Sequence, residues 1–175
     1  MSEPLVFMMG KFAAEFPTDR QYAKNHMWAL ATGGAIRFGF TAYAVRLLQD
    51  VYFLDWSVAA GSPLGERQEI GSIESKKAES SLYSPAAGTL VCFNEELLSD
   101  PSAINVDKYG GGWLFEMQTA GEELIVAEQY LEHLAAVWEV TQRTIKGQMN
   151  EEEHGQENRS RRLPRTKRQP HQAAA

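Results

Sequence analysis

A β-rich α+β fold follows from three features of this 175-residue chain. Short apolar or alternating runs recur between turn signals from Trp28 to Met117, the pattern of strands rather than of long helices. Helical period is confined to two short stretches and one longer one near the C-terminus. Hydrophobic residues make up 43% of the chain, enough to build a core and to set global disorder aside.

Residues 1–20 mix apolar residues with Pro4 and Pro17 and show no sustained period, so they read as an N-terminal arm. The body, 21–147, opens near Tyr22 and His26-Met27-Trp28. Strands are predicted at 28–31 and 36–40, with Gly33-Gly34 as the turn between them. Thr41 then caps a helix over 42–48, with Tyr43, Leu47 and Leu48 on its apolar face. Further strands are predicted at 51–56, 71–75, 78–83, 89–93 and 113–117, punctuated by Gly61-Ser62-Pro63, by 85–88 and by Gly110-Gly111-Gly112. Between the last two, Asn94 is expected to cap a short helix over 95–98 that Pro101 prevents from continuing. The longer helix is predicted over 127–145. Leu131, Leu134, Trp138, Thr141 and Ile145 form its apolar stripe, and Gly147 is its stop. Residues 148–175 are charged and poor in aliphatic side chains, and are expected to be a disordered tail.

The formal charge of −6 is unevenly placed. From Arg159 onward there are six basic residues and no acid, so the residues before Arg159 carry −12. An acidic body argues against a nucleic-acid-binding face and suits docking on basic partner surfaces. Cys92 is the only cysteine, which excludes an internal disulfide and a CxxC redox pair; between Val91 and Phe93 it reads as a small buried hydrophobe. The N-terminus is a weak match to a signal peptide, and no apolar run approaches a membrane span. A soluble protein of a reducing compartment, hence cytoplasmic, is the expectation.

The four tryptophans, Trp28, Trp56, Trp113 and Trp138, are expected in the core, and His26 is expected to be a hydrogen-bonded structural residue. His133, His154 and His171 lack metal-site spacing. Tyr109 and the three glycines lack the Lys-Ser/Thr of a phosphate loop and read as a backbone-packing turn.

The segment 73–88, IESKKAESSLYSPAAG, carries the functional signal. It places two lysines, Lys76 and Lys77, between strand-like runs, with small or polar neighbours in Ser75, Ala78, Ser80 and Ser81. A lysine at a hairpin tip contributes nothing to a core but stands where several enzymes can reach it. On residue types alone the two lysines compete for that role.

The segment resembles the lipoyl-attachment hairpin of the glycine cleavage system H protein family, which reads ESVKAASDLYSPVSG. In that register Glu74-Ser75 fall on its Glu-Ser, Lys77 on its lipoyl-lysine, Ala78 on the following Ala, and Leu82-Tyr83-Ser84-Pro85 and Gly88 match without a gap. The similarity extends to Tyr22 and His26-Met27-Trp28, to 41–44, to 50–54, to Asn94-Glu95, Pro101 and Asn105, to 109–114, and to Tyr130-Leu131. It implies a lipoyl-domain-like barrel-sandwich hybrid with short flanking helices and a C-terminal helix. It further implies a non-catalytic carrier with lipoate on Lys77 and with Glu74, Ser75 and Ala78 as recognition residues near the attachment site. The implied partners are a PLP-dependent glycine decarboxylase, a folate-dependent aminomethyltransferase, dihydrolipoamide dehydrogenase and a lipoylating enzyme. Neither nucleic acid nor membrane is implied.

Four residues depart from the family pattern: Lys76 for an apolar residue, Glu79 for a small one, Ser81 for a frequent Asp, and Met27 for the acid after His26. They leave open which enzymes the arm visits. One alternative is an H-like lipoyl carrier serving sulfur oxidation or lipoyl relay, and another is a non-lipoylated adaptor. A biotin carrier fits poorly because no methionine flanks the lysines, and a 2-oxoacid dehydrogenase lipoyl domain lacks the Tyr-Gly-x-Gly-Trp segment and the C-terminal helix.

Overall fold

The computed structural model describes residues 3–143. The chain divides into two compact units, Met1–Leu134 and Ala135–Ala175. In the second, residues 135–143 are helical, and the predicted tail, Gly147 and the predicted helix end at 144–145 lie outside the described residues.

In the first unit, β1 (Leu5–Met9) and β2 (Phe12–Phe16) form a hairpin where the sequence predicted an arm without period. The alternation is real but hidden. Val6 and Met8 face solvent and are as apolar as the inward-facing Phe7 and Met9, so no polar contrast marks the strand. Gly10 supplies the positive φ of +65° in the first position of the two-residue turn. Phe16 and Ala14 are fully buried, which ties the hairpin to the body.

Six antiparallel strands make the larger sheet, in the order β3 (Gln21–Ala23), β4 (Met27–Ala31), β5 (Ile36–Phe40), β11 (Phe115–Gln118), β10 (Gly88–Phe93) and β7 (Pro63–Leu64). A second sheet pairs β6 (Val51–Trp56), β8 (Glu69–Ser75) and β9 (Glu79–Tyr83). The sheets share one apolar core, to which the first gives Phe38, Leu90, Phe115 and Met117 and the second Leu54, Ile70, Ile73 and Leu82. Among the described residues no sheet closes into a barrel, and two sheets over one core make the β-rich, lipoyl-domain-like arrangement expected. Strands β3 and β7 went unpredicted because two or three residues are too few to show a period.

Helix α1 (Ala42–Leu48) has the predicted bounds, and Thr41 Oγ1 accepts from Ala44 N at 3.4 Å as its N-cap. Its buried face differs from expectation: Ala42, Tyr43 and Val45 turn inward, while Leu47 is 39% exposed. Helix α2 is Glu96–Ser99, without a side-chain cap, and α3, Ala103–Val106, was not predicted. Asn94 is not a cap. Its buried amide donates instead to Gly111 O (3.0 Å) and Trp113 O (2.8 Å), tying β10's end to the glycine turn and the residue after it. Helix α4 occupies 127–143 of the described residues.

Only Trp28 of the tryptophans is fully buried. Trp56 stacks on Phe93 at the core edge, and half-buried Trp113 lies beneath the Arg37 guanidinium at 4.1 Å. Cys92 is likewise only partly buried; its thiol donates to Glu116 Oε1 at 3.5 Å, and desolvation with that carboxylate raises its pKa. The tyrosine–glycine turn is a packing turn, as expected. A Cβ on Gly112 would stand 2.5 Å from Ala103 O, and Tyr109 Oη donates to Glu15 O (2.6 Å) while accepting from Ala42 N (2.9 Å).

Candidate functional site

The antiparallel strands β8 and β9 pair from Glu69 opposite Tyr83 to Glu74 opposite Glu79, and Ser75 closes the ladder by donating its N–H to Ala78 O at 2.9 Å. Ser75 and Ala78 thus close a two-residue tip, Lys76-Lys77, and Lys76, Lys77 and Ala78 are all exposed.

The side chains are free, but the backbone is not. Ser75, only 5% exposed, uses its hydroxyl twice: Oγ donates to Ala78 O (3.1 Å) and accepts from Ala78 N (3.2 Å). Lys76 N donates to Gln49 O (3.0 Å) and Lys77 N to Leu48 O (3.2 Å). The carbonyls that α1 leaves unpaired at its C-terminal end thus become the seat of the tip. The chain can turn so sharply there because Gln49 and Asp50 take φ values of 53° and 41°. Asn105 braces the next strand from the other side, its Oδ1 accepting from Val51 N (2.9 Å) and its Nδ2 donating to Val51 O (3.0 Å). Val51 is in turn the register partner of Ser75.

Four charges crowd the tip: Glu74 and Glu79 directly opposite each other, with Lys76 and Lys77 between them in sequence. Among the described residues none of the four enters a salt bridge. Like charges opposed across strands work against pairing, so this arrangement contributes nothing to holding the hairpin. The hydroxyl clamp and the α1 carbonyls do that work. Beside the tip, the register shift between Val51 and Phe53 breaks β6's alternation and leaves Tyr52 (61%) and Phe53 (45%) both exposed.

The four sequence-chosen residues, Glu74, Ser75, Lys77 and Ala78, are thus brought together at one bend. Ser75 differs from expectation in being a buried clamp rather than an accessible neighbour. The anchoring by Leu48, Gln49 and Asn105 was not foreseen, and only the Asn105 side chain could have signalled it. No group of three or more metal-ligating side chains occurs among the described residues.

The glycine cleavage H-protein family model matches residues 20–137. The chain belongs to the glycine cleavage H-protein family. A probable glycine cleavage system H protein of Natronomonas pharaonis is 36% identical over 124 residues, covering 69% of this chain and 98% of that protein. The glycine cleavage system H protein of Mycolicibacterium vanbaalenii is 37% identical over 130 residues, 70% of this chain and 98% of its own. A crystal structure of a glycine cleavage system H protein from Mycobacterium marinum superposes with a TM-score of 0.61 at 34% identity, covering 69% of this chain and 99% of that one. The H-protein family supplies the lipoyl-carrier component of the glycine cleavage system. No helix among the described residues is long and apolar enough to cross a membrane.

His26, expected to be structural, accepts or donates through Nδ1 with Tyr130 Oη at 2.8 Å and lies 4.6 Å from the Tyr43 ring. Burial, helped by nearby His133, lowers its pKa to about 4. Tyr130 also meets Thr41 Oγ1 at 3.0 Å, and its ring stacks on Tyr22 at 4.8 Å, so the start of α4 is joined to α1's cap and to β3. Burial, with Tyr109, Tyr43 and Tyr22 nearby, pushes the Tyr130 hydroxyl well above the usual phenol range despite the opposing Thr41 hydrogen bond, so it acts here as a neutral hydrogen-bonding group.

Proposed function

We propose that this H-family protein carries lipoate amide-linked to Lys77 and shuttles an aminomethyl group from a PLP-dependent glycine decarboxylase to a folate-dependent aminomethyltransferase. The observation that carries this reading is an exposed lysine in a two-residue hairpin tip whose backbone is held at three points. A long flexible arm gains reach from an exposed root and accuracy from a rigid one. The chemistry a bound lipoate supplies is reversible disulfide–dithiol exchange, with dihydrolipoamide dehydrogenase restoring the disulfide.

The chain's own contribution is positional. Ala78 leaves the flank of Lys77 open to a lipoylating enzyme, and Glu74 and Glu79 offer that enzyme carboxylates on either side of the lysines. Ser75 keeps the bend from opening when the arm is pulled into a client's active site. The protein performs no bond-making step itself.

Glycine–bicarbonate exchange with a glycine decarboxylase is the direct test. The lipoylated wild type is expected to support exchange and Lys77→Arg to abolish it. A lipoylated chain that supports none would assign the arm to other clients, and a chain that never accepts lipoate would leave the adaptor reading.

A further inference from the structure

The hairpin β1–β2 lies outside the family match, which begins at residue 20. Its outer edge pairs with no strand among the described residues.

The two-residue turn makes Met9 and Phe12 a hydrogen-bonded pair. Alternation in an antiparallel ladder then makes Phe7–Ala14 and Leu5–Phe16 the other such pairs. Val6 and Met8 therefore point their N–H and C=O groups away from β2. Tyr109 supports this phase, since its hydroxyl meets Glu15 O, the cross-strand partner of Val6, on the opposite edge. That opposite edge has this contact, whereas among the described residues no strand lies beside the β1 edge. Natural edge strands are guarded by charge, bulge or proline, yet β1 reads Leu-Val-Phe-Met-Met, with Pro4 as the one guard at its entrance. Val6 and Met8 are 49% and 51% exposed.

We propose that the β1 edge pairs with the β1 edge of a second copy of this chain, in antiparallel register about a two-fold axis through Phe7. That register sets Val6 opposite Met8 of the other copy, so every outward N–H and C=O of both residues finds a partner across the axis. It also sets Glu3 opposite Lys11 of the other copy, giving an opposite-charge pair at each end of the joined strands. Sliding by two residues in one direction places Pro4, which has no N–H, opposite Met8; sliding in the other places the turn residue Gly10 opposite Val6. Only the central register satisfies backbone and charge together. The outward Val6 and Met8 side chains of the two copies then form one continuous apolar row. Each copy carries a net charge of −6, which opposes association, so the dimer is weak and concentration-dependent. Among the described residues the lysine tip takes no hydrogen bond from β1.

Sedimentation equilibrium of the full chain from about 5 µM to about 500 µM spans the range of a weak interface. The mass is expected to rise from 19.6 kDa toward twice that value. Val6→Lys puts a charge on the edge, and Met8→Pro removes an outward donor without breaking a bond to β2. Both are expected to remain monomeric while keeping the wild-type circular dichroism. Glu3→Lys is expected to weaken the dimer about fivefold, and adding Lys11→Glu to restore it. A wild type that stays monomeric throughout, or a Val6→Lys variant that associates like wild type, overturns the proposal. Failure of the double swap to restore association overturns the register. A monomer in which Val6→Lys instead weakens binding to glycine decarboxylase would assign the edge to that enzyme.

Discussion

Replacing Ser75 with alanine removes the clamp of the lysine bend without touching a lysine. Two neutral hydrogen bonds are lost, from Ser75 Oγ to Ala78 O and from Ala78 N to Ser75 Oγ. Ala78 O keeps its bond from Ser75 N at 2.9 Å, so that carbonyl is not orphaned. Ala78 N–H loses its side-chain partner but sits at an exposed residue where water can replace it. The net cost is therefore near that of one ordinary intramolecular hydrogen bond, about 1 kcal/mol, rather than the larger penalty of a buried unsatisfied group. For a protein of this size that lowers Tm by about 3 °C. The local effect is more telling. If the bend opens on its own, about 1 kcal/mol raises amide exchange about fivefold at Lys76 and Lys77, whose bonds to Gln49 O and Leu48 O remain, with exchange in the six-stranded sheet unchanged. Hydrogen-exchange mass spectrometry over 69–83, with a parallel urea melt, reads both. Unchanged exchange at the bend, or faster exchange spread evenly over the whole unit, would refute the clamp.

Stability should also depend on pH through His26, whose folded pKa of about 4 lies below its ordinary value of 6.5. Such a depressed pKa means the neutral ring is favoured in the fold, so its stabilisation is complete above pH 6.5 and is lost as pH falls through 4, by up to about 3 kcal/mol. Urea melts at stepped pH should show this slope in the wild type and lose it in His26→Gln. Gly39→Ala would set a Cβ 2.5 Å from the Trp28 indole, which is pinned by its bond to Lys108 O at 2.9 Å; a destabilisation of about 2 kcal/mol is expected from the same melts. Phe16→Ala empties a fully buried site edge-on to the stacked Tyr22 and Tyr130 rings and should cost about 3–4 kcal/mol, with protection lost first in the N-terminal hairpin.

Elements whose side chains announce their own backbone were legible in the sequence. Strands β5 and β6 and helix α1 have the predicted bounds, because aromatic and β-branched runs end at glycine, threonine or a polar pair. The N-terminal hairpin was not legible, since its solvent face is as apolar as its buried one and its flanking prolines read as loop punctuation. Asn94 misled for a related reason: an asparagine ahead of a short helix looks like a cap, and only the fold brings the glycine-turn carbonyls to its amide. At the site, residue types marked a lysine bend, and the resemblance to the H-protein hairpin singled out Glu74, Ser75, Lys77 and Ala78 on it. The seat beneath it is made of the Leu48 and Gln49 carbonyls, which every residue possesses and which no residue type marks.

Peptide mapping of the chain purified from a lipoate-competent host tests the central claim most directly. The fragment spanning Glu74 to Tyr83 should carry the lipoyl group on Lys77 Nζ, with Lys76 unmodified and with no acylated peptide left in Lys77→Arg. A lipoyl group found on Lys76, or a wild-type chain bearing none on either lysine, would contradict it.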